Sequence, residues 1–335
     1  MKALNCKLSL LLAISLLLFG SLGAQEVKKE IHKEFQTNKS SVVNFETKFG
    51  ALVIENWDEN KIIVDVTITS KHPDEAKAKK ILDLLDVEFD VDGNEITIET
   101  KMDDKISKGY LSKDKKFNFL IVAKVPTGIE FNLYNNFGTV KIQELSGVVD
   151  IENSFGTLEI ESLTGDDVVL EIGTGDVHIG QLSHGDVEVD VGSINIQQAN
   201  VLDIEVSSGS IFIGTVNVLN AELGTGQLEI DRLKPSFKSI DIETSNGNIV
   251  LGIDKDAGFT FDGELSMGNI DYPSSMENMK KKRSNLSSSV AGTYGNGKSI
   301  INLEGSILTP VLFISITISG LVIASLYSNM AKRSI

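Results

Sequence analysis

This 335-residue chain carries a single cysteine, Cys6, near its start. Disulfide frameworks, cysteine-ligated metals and thiol catalysis are therefore excluded from everything beyond the first few residues. The four histidines, His32, His72, His178 and His184, show no His-x-x-x-His or comparable spacing, so they read as scattered surface imidazoles rather than metal ligands. Proline is scarce at five residues, and aromatics make up 6% with Trp57 as the one indole, which argues against a sugar-stacking cleft. Cations are outnumbered, 31 to 47, and the net charge of −16 repels nucleic acid and anionic lipid. No nucleophile elbow is present. Thr174-Gly175-Asp176 and His184-Gly185-Asp186 offer isolated carboxylates without the Gly-Gly-x-Gly-x-Asp nonapeptide of a calcium β-roll. No catalytic, cofactor-binding or metal-binding residue is assigned, and the chain reads as a non-enzyme without a cofactor.

What the chain does have is repetition. A glycine followed by alternating apolar residues recurs as Gly138-Thr139-Val140-Lys141-Ile142, Gly156-Thr157-Leu158-Glu159-Ile160, Gly175-Asp176-Val177-His178-Ile179, Gly192-Ser193-Ile194-Asn195-Ile196, Gly209-Ser210-Ile211-Phe212-Ile213 and Gly226-Gln227-Leu228-Glu229-Ile230. Gly50 opens an earlier unit, while Gly247 and Gly268 open later ones of longer spacing. A period of about 17 to 19 residues is too short for a helical hairpin, and the apolar step is two residues, so each unit is expected to be a pair of short strands wrapped once round a common core. The fold class is all-β, a single-stack β-solenoid. The nine glycines are assigned as structural turn residues, because a coil must reverse within two or three residues and positive φ is cheap for glycine. The aromatic residues before the early glycines, Phe49, Phe137 and Phe155, are expected to stack in the core.

The chain divides into five expected stretches. Residues 1–24, with Lys2, Lys7 and an uncharged run from Leu8 to Phe19, have the form of a secretory signal peptide cleaved before Gln25. Removing it takes away two cations and no acid, so the exported chain is more acidic still. Residues 25–125 form an N-terminal β-rich region, with an exposed, weakly patterned lead-in over 25–40 and an amphipathic helix at 74–86 whose Ala78, Ile81, Leu82 and Leu85 share one side. Val87–Val91 and Glu95–Thr100 read as a hairpin turned at Asp92-Gly93-Asn94. Residues 126–305 hold the solenoid repeats, interrupted by a polar loop over 273–298 and closed by a last coil from Ile300. Residues 306–327 lack charge and are long enough for a C-terminal transmembrane helix, with a short basic tail at 328–335 on the cytoplasmic side; Ile314-Ser315-Ile316 also alternates as a final strand would.

Phe49-Gly50-Ala51-Leu52-Val53-Ile54-Glu55-Asn56-Trp57, Asn136-Phe137-Gly138-Thr139-Val140 and Thr244-Ser245-Asn246-Gly247-Asn248-Ile249, together with the leader, resemble the bacterial putative-adhesin family of β-strand-repeat proteins over about residues 40–305. The resemblance implies architecture and an adhesin role, and it brings no catalytic residues. The expected function is an exported scaffold at the cell envelope or surface, membrane-associated through its C-terminal segment, that shows a repetitive face to a surface protein or glycan. The other classes consistent with the sequence are a carbohydrate-active β-helix enzyme and an envelope sensor or scaffold. The sequence leaves the oligomeric state open.

Overall fold

Val, Ile and Leu at every second position produce strands with one buried face, and here those strands run on into coils. The computed structural model describes residues 25–103, 106, 116–284 and 287–316. The expected leader (1–24), the second half of the expected membrane span (317–327) and the basic tail (328–335) lie outside them. In chain order the elements are β1 (Gln25–Gln36), β2 (Val42–Thr47), β3 (Gly50–Trp57), β4 (Lys61–His72), α1 (Glu75–Leu82), β5 (Leu85–Asp92) and β6 (Glu95–Met102). There follow β7 (Lys116–Pro126), β8 (Glu130–Leu145), β9 (Val149–Leu163), β10 (Val168–Thr215), β11 (Val218–Leu233), β12 (Ser239–Asp254), β13 (Phe259–Asp271), β14 (Glu277–Arg283), β15 (Ser288–Tyr294) and β16 (Ser299–Ile316).

β8 to β12 stack in parallel, each coil in register with the next. In β9 the inward residues are Val149, Ile151 and Asn153 on a first pass, Leu158 and Ile160 on a second, and Leu163 on a short return. The step from Asn153 to Leu158 is odd, so inward parity flips beside Gly156 and the chain turns a corner there. Repeating this coil produces two walls round one continuous apolar core. Each fully buried Val, Ile or Leu contributes about 1.5–3 kcal/mol relative to exposure.

The glycines stack along that corner: Gly50 faces Gly138, Gly138 faces Gly156, Gly156 faces Gly175, Gly209 faces Gly226 and Gly226 faces Gly247. Positive φ is not what they share. Gly50, Gly138, Gly156, Gly226 and Gly268 have it, whereas Gly175, Gly192, Gly209 and Gly247 do not. The common constraint from Gly138 to Gly247 is approach: a Cβ on each would sit 1.7–2.5 Å from the carbonyl oxygen of the glycine one coil below.

Both ends of the stack close with antiparallel strands. At the N-terminal end the first-pass wall continues through β2, β6 and β5, and the second-pass wall through β3, β7, β4 and β1. The lead-in is thus a twelve-residue strand rather than a loose end, because Val27, Ile31 and Phe35 pack on the core while β1 pairs along the whole of β4. Helix α1 is shorter than expected, ending at Leu82. Asp74 caps it, accepting from the Lys77 N–H at 3.3 Å, and Ala78, Ile81 and Leu82 are buried, while Leu85 belongs to β5.

The 273–298 segment is a hairpin, β14 against β15, with β15 antiparallel to β13. β16 does not follow β13 in space but inserts between β12 and β13, parallel to both. That placement corrects the membrane expectation: residues 306–316, its first half, are strand paired on two sides. Among the described residues no helix is long and apolar enough to cross a membrane. Both ladders skip register near Pro310, which has no N–H to donate, so the strand bulges there and resumes pairing at Val311 and Leu312.

One polar chain runs inside the core. Thr47 Oγ1 donates to Asn135 Oδ1 at 2.6 Å, and Asn135 Nδ2 donates to Asn153 Oδ1 at 2.5 Å. Replacing Asn135 by Leu strands both neighbours, so urea unfolding should show a loss of about 1–3 kcal/mol. An unchanged midpoint would mean that the two ends find other partners.

Candidate functional site

Rows of outward side chains run across the coils because every coil keeps the same parity. The first-pass wall carries a row of one residue type. Glu152 stands beside Glu171, Glu205 beside Glu222, Glu222 beside Glu243, Glu243 beside Glu304 and Glu304 beside Glu264. Glu188 falls between Glu171 and Glu205 by the same offset that brings Gly192 onto Gly175 and Gly209 onto Gly192. All eight are exposed. Two residues earlier along each coil lies a second acidic row containing Asp150, Asp186, Asp203, Asp241 and Asp262, with Asn132, Asn220 and Asn302 among them. Asn302 Nδ2 donates to Asp241 Oδ1 at 2.6 Å across that row.

Neighbouring carboxylates on the glutamate row recur at the strand spacing of about 4.8 Å. At that distance two unit charges in water repel by about 0.9 kcal/mol before salt screening. Towards the N-terminal end the row is partly neutralised: Lys101 bridges Glu88 at 3.0 Å and also reaches Glu99, and Lys48 lies 3.4 Å from Glu99. From Glu152 to Glu264 no described lysine or arginine makes an ion pair with it.

An aromatic stack borders the start of the row. Phe49 and Phe137 stack at 5.3 Å, and Phe137 and Phe155 at 5.0 Å. Phe137 and Phe155 are 44% and 48% exposed, so their part of the stack is surface rather than core, whereas Phe49 is half-buried against the core; Tyr134, in the glutamate row, is also exposed. The Phe155 ring, Glu152, Glu171, Glu188 and Asp190 line a shallow groove of about 360 Å³. A second groove of about 760 Å³ runs between Glu205 and Lys282. The second-pass wall differs in kind, with Lys141 paired to Glu159 at 2.5 Å and His178 and Asn195 next in its row.

The nine predicted glycines form the corner, next to this face but not on it. Among the described residues no three His, Cys, Asp or Glu side chains converge to hold a metal ion. The missed residues had a legible signal. Seven of the eight, from Glu152 to Glu264, stand four residues before a glycine, as in Glu171-Ile172-Gly173-Thr174-Gly175 and Glu188-Val189-Asp190-Val191-Gly192, and alignment on the glycines turns these into a row; Glu304 has Leu308 at that place and joins the row only through its pairing with β12 and β13.

Residues 52–307, which span the coils and both acidic rows, match the family model described as Toastrack DUF4097. The chain belongs to the Toastrack DUF4097 family. Solved structures similar to this Toastrack chain include a putative adhesin from Parabacteroides merdae, 10% identical, with 86% of this chain and 97% of that one covered and a TM-score of 0.33. Another, from Bacteroides fragilis, is 12% identical over 84% of this chain and 97% of that one, with a TM-score of 0.28. A third, from Parabacteroides distasonis, is described as a putative lipid binding protein; it is 13% identical over 86% and 97%, with a TM-score of 0.33. No curated protein matches the chain.

Proposed function

We propose that this Toastrack protein is an exported, non-enzymatic scaffold that uses its first-pass wall to hold cationic surface proteins or peptides at the cell envelope. The observation carrying this reading is the uninterrupted row of eight exposed glutamates, with which no described lysine or arginine makes an ion pair. An extended partner with amines or guanidinium groups relieves the repulsion along the row by bridging successive carboxylates. Phe155, beside Glu152, adds a ring face for the same kind of group. Equivalent carboxylates in equivalent surroundings suit repeated binding, whereas acid–base chemistry depends on environments that push two groups apart.

The test compares the full-length protein with two charge-matched variants binding an immobilised oligolysine peptide. Glu171→Gln, Glu188→Gln, Glu205→Gln and Glu222→Gln together should weaken binding at least tenfold. Glu144→Gln, Glu161→Gln, Asp176→Asn and Asp231→Asn, which change the net charge equally away from the row, should leave it nearly intact. Equal losses in both variants would reduce the effect to net charge and overturn the proposal.

A further inference from the structure

The first-pass wall ends in two strand edges that no described strand covers, β5 at the N-terminal end and β14 at the other. An open edge presents free N–H and C=O groups to any chain of suitable charge. The two edges carry opposite charge. Asp86, Glu88, Asp90 and Asp92 alternate along β5, whereas β14 ends in Lys280, Lys281, Lys282 and Arg283, all exposed. Charges of one sign at both ends would keep copies apart, and charges of opposite sign draw the tail of one copy to the head of the next.

We propose that this chain associates head to tail with copies of itself, β14 of one copy pairing antiparallel with β5 of the next, so that the first-pass wall runs on as one sheet.

Three features of the fold support this. Direction is the first: β14 runs with the coils, because it is antiparallel to β15, which is antiparallel to β13; β5 runs against them, being antiparallel to β6. Two copies placed end to end along one axis therefore meet in antiparallel orientation, which needs no crossover connection.

Register is the second. Glu88 lies on the glutamate row through Glu99, Glu46 and Tyr134, and Lys282 lies on it through Ser289 and Glu264. Asp90 and Lys280 lie in the same way at the two ends of the aspartate row. Continuing the rows from copy to copy sets Lys282 opposite Glu88 and Lys280 opposite Asp90, two cross-strand pairs of opposite charge. Glu88 already shares Lys101 at 3.0 Å, while no described lysine or arginine makes an ion pair with Asp90.

Shape is the third. At the head the second-pass wall extends one strand beyond the first-pass wall, with four strands, β3, β7, β4 and β1, against three, β2, β6 and β5. At the tail the first-pass wall extends two strands further, β15 and β14, and the second-pass wall stops at β13. The protruding β1 of one copy enters the recess beside β13 of its neighbour, leaving one strand width between them. The regular part of β14 is four residues long, since a bulge interrupts its pairing between Glu277 and Lys280. A joint this short is weak and exchanging, and crowding at a surface favours it.

Sedimentation velocity and small-angle scattering on the full-length protein, from about 1 μM to about 1 mM, should show a concentration-dependent rise in mass with a growing long dimension. Raising salt from about 50 to about 500 mM should weaken it at least tenfold. Lys280→Glu with Lys282→Glu should abolish association, as should Glu88→Lys with Asp90→Lys. Mixing these two variants, or combining all four substitutions in one chain, should restore it. Circular dichroism on each variant separates lost association from lost folding. A protein that stays monomeric throughout, or oligomers indifferent to the reversals, would overturn the proposal. Oligolysine binding is a separate readout, so either result can fail alone.

Discussion

Gly209→Val should destabilise the rod by at least about 4 kcal/mol, well beyond the range of ordinary surface or strand substitutions. A Cβ at Gly209 would lie 1.8 Å from the carbonyl oxygen of Gly192, and a Cβ at Gly226 would lie 1.7 Å from that of Gly209. Backbone atoms held by ladders on both sides cannot retreat, so the coil must open its pairing to admit the side chain. Stability in a stacked array is a sum over neighbouring contacts, and a break in mid-stack removes two of them. Thermal unfolding followed by circular dichroism should show a fall of roughly 10 °C or more. Gly93 supplies the control. Its φ is +61° in a hairpin turn and nothing lies within 4 Å of an added Cβ, so Gly93→Ala should lose only about 1 kcal/mol through backbone conformation. Similar losses at the two sites would show that turning, rather than close approach, governs the glycine column.

Arg232→Met should lower stability by about 1–3 kcal/mol at neutral pH, because the arginine is partly exposed while the carboxylate it pairs with is buried. Asp254, at the end of β12, is 3% exposed, and Arg232, at the end of β11, supplies Nε at 3.0 Å together with a second contact from its guanidinium. Asp254 also accepts from the Asp256 N–H at 3.2 Å. The guanidinium first and that backbone N–H second hold the Asp254 carboxyl below the usual carboxylate range, against burial, which acts the other way. A carboxyl whose folded value is depressed contributes stability above its unfolded value of about 3.9, and that contribution is lost as pH falls through the folded value. Removing Arg232 takes away the largest effect holding the carboxyl down and leaves the Asp256 N–H against burial, so protonation costs the variant less than the parent and the gap between them should narrow as pH drops towards 4. Urea unfolding at several pH values tests both halves. A gap that stays constant with pH would place the loss in packing of the arginine stem instead. Arg232→Met combined with Asp254→Leu should recover most of the loss.

The repeating part of the fold was legible because its causes are local and periodic. Alternation at Val177 and Ile179 or at Ile211 and Ile213 marks inward faces, and the glycine before each marks the corner. The reason for the glycines was legible only as a turn. That four of them lack positive φ, and that all from Gly138 to Gly247 face a carbonyl across the stack, depends on neighbours one coil away. The ends were harder for the same reason. Charged, weakly alternating β1 and β14 become strands because β4 and β15 offer them edges. Residues 306–316 pair as strand with β12 and β13, and an uncharged stretch reads alike in sequence whether it becomes a strand or a membrane helix. At the candidate site, Glu171, Glu188 and Glu205 were visible as outward residues, but a row across coils exists only once the register is known.

The insertion of β16 between β12 and β13 makes the finished wall depend on the last described residues to be synthesised. A chain emerging N-terminus first completes its coils through β12 in order, each adding to the one before. β13 then has no permanent neighbour on that side, and its place beside β12 must remain open while some 30 further residues emerge. The long connection adds little closure entropy, because that entropy grows slowly with length, but the pairing it allows is non-local and therefore slow. During that interval two parallel edges stand unpaired at the growing end, where a copy in the same state could exchange strands with it. Proline in β16 and lysine along β14 are the kinds of residue that discourage such exchange. Assembly of this rod therefore runs in order along most of its length and finishes out of order, with the closing strand entering from the side.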